Sequence, residues 1–471
     1  MTYLEIKALL QKHGQEHLLQ FWDELSPEER DCLIEDIENL DLMEVTSYFT
    51  RAIKSNESKS LLDEKIQPIP DSSIESIKTV LPEQLQKYER LGLEEIAKGK
   101  AAIILMAGGQ GTRLGVDYPK GMYNVGLPSN KTLFELQALR IKRLQHMARE
   151  LFGDCAGIAL YIMTSDATHE TTLAYFKEND YFGLNENQVK AFKQSTLPCF
   201  TFDGKIILDD KHKIARAPDG NGGLYVALEK EGILSDMENR GINSVHVFSV
   251  DNILVKVADP VFIGYCLSRS ADCAAKVVSK RSADEPVGVV CLVDGLFGVV
   301  EYSEISKTTS QLCNDKGTLV YNAGNICNHY FTTEFLNKIA KNYSKELDLH
   351  VAKKKIPFID ASGTKCKPST SNGIKIEKFV FDVFKYSSKF AAWEVLREDE
   401  FSGLKNSDSA KEDCPTTARN HILDLHRRWL LKSGAKNVDG NVEISPLLSY
   451  AGENLVDIAK DKSFRGPLVL N

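Results

Sequence analysis

No stretch of this 471-residue chain approaches the ~18 consecutive apolar residues that a membrane-spanning helix needs. The opening MTYLEIKALLQKHGQEH carries a charge every few positions, so no secretory signal is expected there. The ten cysteines, Cys32 to Cys414, include no C-x-x-C pair and no spacing suited to zinc. Free thiols in a reducing compartment are the expectation, and a cytoplasmic location follows from it. Basic residues are outnumbered, 58 Lys and Arg against 66 Asp and Glu, leaving a net charge of −8. That sets the chain against a nucleic-acid partner, whose phosphates need a basic surface, yet allows a local basic pocket for a small anion. Internal repeats and low-complexity tracts are also missing.

What is present is the composition of an ordinary globular protein, 42% apolar and 26% charged, with length for roughly three domains. Residues 1–95 read as a helical region and linker. SPEERDCLIEDI places Ser26 as N-cap, Pro27 at the first helical position and Glu29 three residues after the cap. Asp41 and Glu44 repeat the device, and Leu33 and Ile37 supply the apolar stripe. The polar text from 54 to 73, with two prolines, predicts an extended connector. Between 96 and 390, AAIILMA, IALYIMTS, SVHVFSV and CAAKVVS are strand-length apolar runs. Helical text stands between them, such as GGLYVALEKEGILSDMENRG and TLFELQALRIKRLQHMARELF. This alternation predicts an α/β chain whose central sheet is mixed, mostly parallel and flanked by helices. From 391 to 471 the pattern gives way to one amphipathic helix, TTARNHILDLHRRWLLKSG, and short extended pieces, a small α+β C-terminal domain.

The least ordinary text is LMAGGQGTRLGVDYPKGMYNVGLP, 105–128, directly after the first buried strand. It is not a P-loop, because no lysine follows a glycine at the spacing G-x-x-x-x-G-K-[ST]. Nor is it a dinucleotide fingerprint: from Gly109 and Gly111 the third glycine place falls on Leu114, and Gly115 arrives one residue late. Glycines bring backbone N–H groups close to a ligand, and the added cations Arg113 and Lys120 point to extra negative charge, as when pyrophosphate leaves a triphosphate.

AGGQGTRLG with PKGMYNVGLPS and NKTLFELQALRI resembles the signature of the eukaryotic UDP-N-acetylhexosamine (UDP-N-acetylglucosamine) pyrophosphorylases. The likeness runs on in order through APDGNGGLY, VDNILVKVADP, EPVGVV, VEYSEIS, NAGNICNHYF, NGIKIEKFVFD and LREDEFSGLKN. It implies a nucleotide-diphospho-sugar transferase fold, Rossmann-like in its layers. It also implies the reaction of UTP with N-acetylglucosamine 1-phosphate, and with the galactosamine isomer, to give the UDP-sugar and pyrophosphate. Mg²⁺, or Mn²⁺, is the implied cofactor, and a monomer or homodimer the implied assembly.

The resemblance assigns roles by position. Leu105, Met106, Ala107, Gly108, Gly109, Gly111 and Lys120 would line UTP. Gln194 would read uracil, since a carboxamide both accepts from N3–H and donates to a ring carbonyl. Gly220 would admit the same ring, and Lys375 would meet phosphate. Asp251 would carry the metal. Asn221, Gly288, Glu301, Tyr302 and Asn325 would face the sugar, with Asn325 as reader of the acetamido group. Arg113, Lys120 and Lys405 would neutralise phosphate charge, Lys405 on the sugar phosphate. Such chemistry needs in-line attack of the sugar phosphate on the α-phosphorus, with positioning and charge neutralisation rather than proton transfer. Three rival readings are a pyrophosphorylase acting on glucose 1-phosphate or on several sugars, a non-catalytic nucleotide-sugar binder, and an NAD-dependent oxidoreductase. The NAGN and VEYSEIS motifs oppose the first, the presence of Arg113, Lys120 and Asp251 the second, and the glycine spacing the third.

Overall fold

The computed structural model describes residues 1–57 and 62–471, so part of the connector expected over 54–73 lies outside the described residues. Packing divides the chain into two units. The smaller comprises 1–62, 194–226 and 344–382, and the larger comprises 63–193, 227–343 and 383–471. The division follows contact rather than chain order, because 194–226 and 344–382 leave the central strand text and join the N-terminal helices.

The larger unit is built on an eleven-stranded sheet. Its strands are β1 (Ile66–Pro68), β2 (Ile74–Ser76), β3 (Ala101–Met106), β4 (Ala159–Thr164), β5 (Val189–Lys193), β6 (Ser244–Ser249), β7 (Cys273–Ser279), β8 (Val289–Val293), β9 (Leu296–Val300), β10 (Ala323–Thr332) and β11 (Phe390–Val395). The main path runs β2-β11-β7-β10-β6-β3-β4-β5, with β1 and β9 on β8, which touches β10. Strands β3, β4, β5 and β6 are mutually parallel, as are β2, β7 and β11. β10 lies antiparallel between β6 and β7, so its first residues stand at the edge where its neighbours end. The sheet is therefore mixed and mostly parallel, as the alternation of elements predicted.

Every residue of β3 and β4 is buried, the condition under which a strand reads as an unbroken apolar run. Helices cover the sheet. Leu133–Phe152 starts from Thr132, whose Oγ1 accepts from Glu135 N at 3.3 Å. The text from 222 to 241 makes two short helices, Leu224–Lys230 and Ile233–Asn239, because Gly232 between them sits at φ +68°. The expected boundary at 391 falls one residue inside β11, and the helix Pro415–Lys432 is followed by two parallel strand pairs, 437–439 with 463–465 and 442–444 with 468–470.

In the smaller unit the helices Tyr3–Lys12, Pro27–Glu38 and Leu42–Glu57 pack Ile6, Leu10, Leu33 and Ile37 with Phe200, Ile374 and Ile376 of a three-stranded sheet. Ser26 and Glu29 form the expected reciprocal cap, and Asp41 Oδ1 accepts from Glu44 N at 3.0 Å. No helix among the described residues is long and apolar enough to cross a membrane.

Candidate active site

In the larger unit the carboxyl ends of β3 and β6 emerge side by side, Met106 level with Ser249. Ligands of open α/β sheets bind outside such strand ends. After β3 the glycine loop folds on itself: Gly111 N donates to Tyr118 O at 3.0 Å and Lys120 N to Gly109 O at 3.1 Å. Gly108 O accepts from Ser165 Oγ at 2.8 Å. Among the described residues, the amides of Gly108, Gly109 and Gln110 donate to nothing, so three successive N–H groups are left for an anion. The glycines serve different ends. A Cβ on Gly109 would meet only open space, whereas one on Gly111 would stand 2.3 Å from Val116 Cγ2. Gly111 is thus required by packing, and Gly109 by the free approach.

The two cations of the loop are placed differently. Arg113, in a short 3₁₀ turn, is exposed and makes no ion pair among the described residues. Lys120 is drawn inward, its Nζ 3.5 Å from Asp251 Oδ2. Asp251 follows β6 and also accepts from Ser249 Oγ. Burial works against its charge, but the Lys120 ammonium, the Ser249 hydroxyl and the Lys405 ammonium together hold its carboxyl below the usual carboxylate range. Lys405 is half exposed, with its Nζ 3.9 Å from Asp413 Oδ2.

A second cluster forms where β10 begins. Asn325 N donates to Gly288 O at 2.8 Å, and a Cβ on Gly288 would stand 2.9 Å from Glu301 Oε1. Gly288, Glu301 and Asn325, scattered in sequence, are therefore neighbours, while Tyr302 points outward, 52% exposed. Asn325 Oδ1 accepts from Cys327 N at 3.2 Å, so the side chain has its N–H₂ donors left to offer. Cys327, at φ +52°, joins the clusters: burial pushes its thiol up to about 12, with Asp251, Lys405 and Glu301 all acting on it.

The smaller unit holds the remaining candidates. Gly220 sits at φ +86°, where a Cβ would stand 2.3 Å from Lys378 O, and Gly222 N donates to Lys378 O at 2.8 Å. Asn221 Oδ1 accepts from Val380 N at 2.9 Å. The PDGNGG text is thus shaped by close packing on the backbone of 377–380. Burial pushes the Asp219 carboxyl up to about 7 despite the Lys378 ammonium. Gln194 opens the second segment of this unit, just before the strand Thr196–Pro198. Lys375, on the strand Gly373–Glu377, lines a cavity of about 220 Å³ with Cys199, Asp209, Arg216 and Lys355, apart from Gly220 and Asn221.

No group of three or more His, Cys, Asp or Glu side chains among the described residues could cage a metal. A single ionised carboxylate beside unpaired N–H groups still fits Mg²⁺, which takes one or two protein carboxylates and completes its shell with phosphate oxygens and water. Ser249, Asn252 and Cys327 escaped the reading of motifs. Ser249 and Asn252, polar neighbours of Asp251 at a strand end, carried a local signal, and Cys327 carried none.

The chain matches the family described as UTP–glucose-1-phosphate uridylyltransferase over residues 42–445. It is 49% identical over 484 residues to the UDP-N-acetylhexosamine pyrophosphorylase-like protein 1 of Xenopus tropicalis, covering 98% of this chain and 95% of that one. To UDP-N-acetylglucosamine diphosphorylase 2 of Arabidopsis thaliana it is 43% identical, covering 97% and 92%. Among solved structures, the uridine diphosphate N-acetylglucosamine pyrophosphorylase of Trypanosoma brucei in complex with inhibitor superposes with a TM-score of 0.84 at 31% identity, covering 95% and 93%.

Proposed function

This chain belongs to the UTP–glucose-1-phosphate uridylyltransferase family, and we propose that it joins UTP to N-acetylglucosamine 1-phosphate, releasing pyrophosphate. It is a nucleotidyltransferase. The observation that carries the site assignment is the meeting of Lys120 with Asp251 beside the three unpaired N–H groups of the glycine loop. An oxygen of the sugar phosphate forms a bond to the α-phosphorus as the bond to the β-phosphate oxygen breaks. No proton needs to move. The loop amides, Arg113 and Lys120 neutralise the phosphates, and Lys405 holds the attacking phosphate, a division of labour based on positioning and charge.

Asp251, with its carboxylate kept ionised, is the residue that would hold Mg²⁺, which supplies charge to shield the phosphate oxygens when bound. The Lys120 ammonium, 3.5 Å from Asp251 Oδ2, helps keep that carboxylate oriented. Gly288, Glu301 and Asn325 face the sugar, the N–H₂ of Asn325 donating to the acetamido carbonyl. The roles of Gln194, Gly220, Asn221, Tyr302 and Lys375 rest on family resemblance. The enzyme acts in the cytoplasm as a monomer or homodimer, and takes the galactosamine isomer as well.

The deciding assay is pyrophosphate release from UTP with the 1-phosphates of N-acetylglucosamine, N-acetylgalactosamine and glucose. The N-acetylated sugars should lead in kcat/KM. Preference for glucose 1-phosphate would overturn the substrate, and silence with all three the activity.

A further inference from the structure

Strand β7 is an apolar run with one charge in it. Lys276 is wholly buried, and its ammonium meets two carboxylates, those of Asp259 and Glu400. Glu400, 1% exposed, also holds Lys256 Nζ at 3.1 Å. Two ammonium groups thus balance two carboxylates inside the larger unit. Such a set contributes little net stability, because desolvation offsets the Coulomb attraction. What it does fix is geometry. Asp259 Oδ1 accepts from Val261 N at 3.1 Å and so caps the helix Pro260–Ser268. Glu400 is therefore fastened to β7 through Lys276 and, by way of Lys276 and Asp259, to the cap of that helix.

Glu400 begins a strap, 400–405, that ends at Lys405. Asn252, 5% exposed, grips this strap from beside Asp251. Its Nδ2 donates to Glu400 O at 2.7 Å, and its Oδ1 accepts from Ser402 N at 3.0 Å. The backbone extends the grip: Ile253 N donates to Ser402 O at 3.1 Å and Leu404 N to Asp251 O at 2.9 Å. Oδ1 also accepts from Leu254 N at 3.2 Å, so the carboxamide oxygen and one of its N–H groups are spent on holding.

We propose that Asn252, backed by the Lys276–Glu400 ion pair, is a positioning residue that fixes the 400–405 strap so that Lys405 stands beside Asp251. This rests on the uridylyltransfer reading and adds to it the device that aligns its two charged partners. Asn252→Ala removes the clasp. Asn252→Asp keeps its size but sets a carboxylate oxygen against the Glu400 carbonyl, and carries the test should the alanine variant not fold.

The experiment is steady-state pyrophosphate release, with the sugar 1-phosphate the wild type turns over fastest, for both variants, Lys405→Ala and the double variants. A misplacement near 1 Å costs up to ~10²-fold, so kcat should fall roughly ten- to a hundredfold while KM for UTP stays unchanged. Adding either Asn252 substitution to Lys405→Ala should cost nothing further, because the clasp acts through that lysine. Losses that multiply in the double variants, or single variants within about twofold of wild type, overturn the positioning role while leaving the activity intact. A wild type inert with every sugar phosphate overturns the uridylyltransfer reading and this inference with it.

Discussion

Lys120 and Asp251 are separated by 131 residues in the chain, and their side chains meet at 3.5 Å. The parallel pairing of β3 with β6 brings them together, delivering both following loops to one edge of the sheet. A cation and a carboxylate facing each other beside unpaired backbone N–H groups form a site able to hold phosphate oxygens and a divalent ion at once.

Lys120→Ala and Arg113→Ala should each lower turnover by on the order of 10²–10³ while the fold persists, since each removes one electrostatic stabiliser. Arg113 is exposed and makes no ion pair among the described residues, so its variant should melt at the wild-type temperature. Pyrophosphate release and a thermal melt on the same preparations check both points. Near-normal rates in both variants would remove the glycine loop from the reaction.

Asp251→Asn keeps the shape of the side chain and its bond from the Ser249 hydroxyl but gives up the charge. Dependence of the rate on Mg²⁺ should disappear along with most of the activity. The check is a Mg²⁺ titration of wild type and variant; overlapping curves would place the ion elsewhere.

Asn325→Ala should narrow the preference for N-acetylglucosamine 1-phosphate over glucose 1-phosphate. Its N–H₂ donors are what the side chain has left to offer, and a lost partner for a buried polar group costs roughly 1–3 kcal/mol. Comparing kcat/KM for both sugars at saturating UTP decides it. Equal losses would make Asn325 a support for the start of β10.

The buried Asp219 carboxyl, pushed up to about 7 from an ordinary 3.8, binds its proton more tightly folded than unfolded. Its contribution to stability is therefore complete below the unfolded value and is lost as pH rises through about 7. Wild type should lose melting temperature between about pH 4 and pH 7, by up to ~1.4 kcal/mol of stability per pH unit, and level off above that. Asp219→Asn, which cannot titrate, should give a flatter profile. Parallel profiles would show that another group sets the slope.

Local chemistry made several features legible from the residues alone. The Ser26 and Asp41 caps depend on contacts within a few positions, and the buried strands β3 and β4 and the glycine loop show in their own composition, which the sequence displays directly. Gly232 marks the limit of such reading, since a single φ of +68° divided what looked like one helix. The decisive features depend on partners far along the chain. NAGNICNHYF looks too polar for the centre of a sheet, yet it supplies β10, because Asn328 meets His246 at 2.6 Å and β6 and β7 pair with it on either side. Lys276 can lie buried in β7 only because Asp259 and Glu400 reach it, and Asn252 becomes a clasp only because the 400–405 strap returns to it. A polar group inside a protein is tolerated when its partners are in place. The sequence by itself determined which pieces form and which residues carry charge and glycine freedom; the tertiary structure alone decided which of those polar groups meet, because their pairing depends on the paths of strands more than a hundred residues apart.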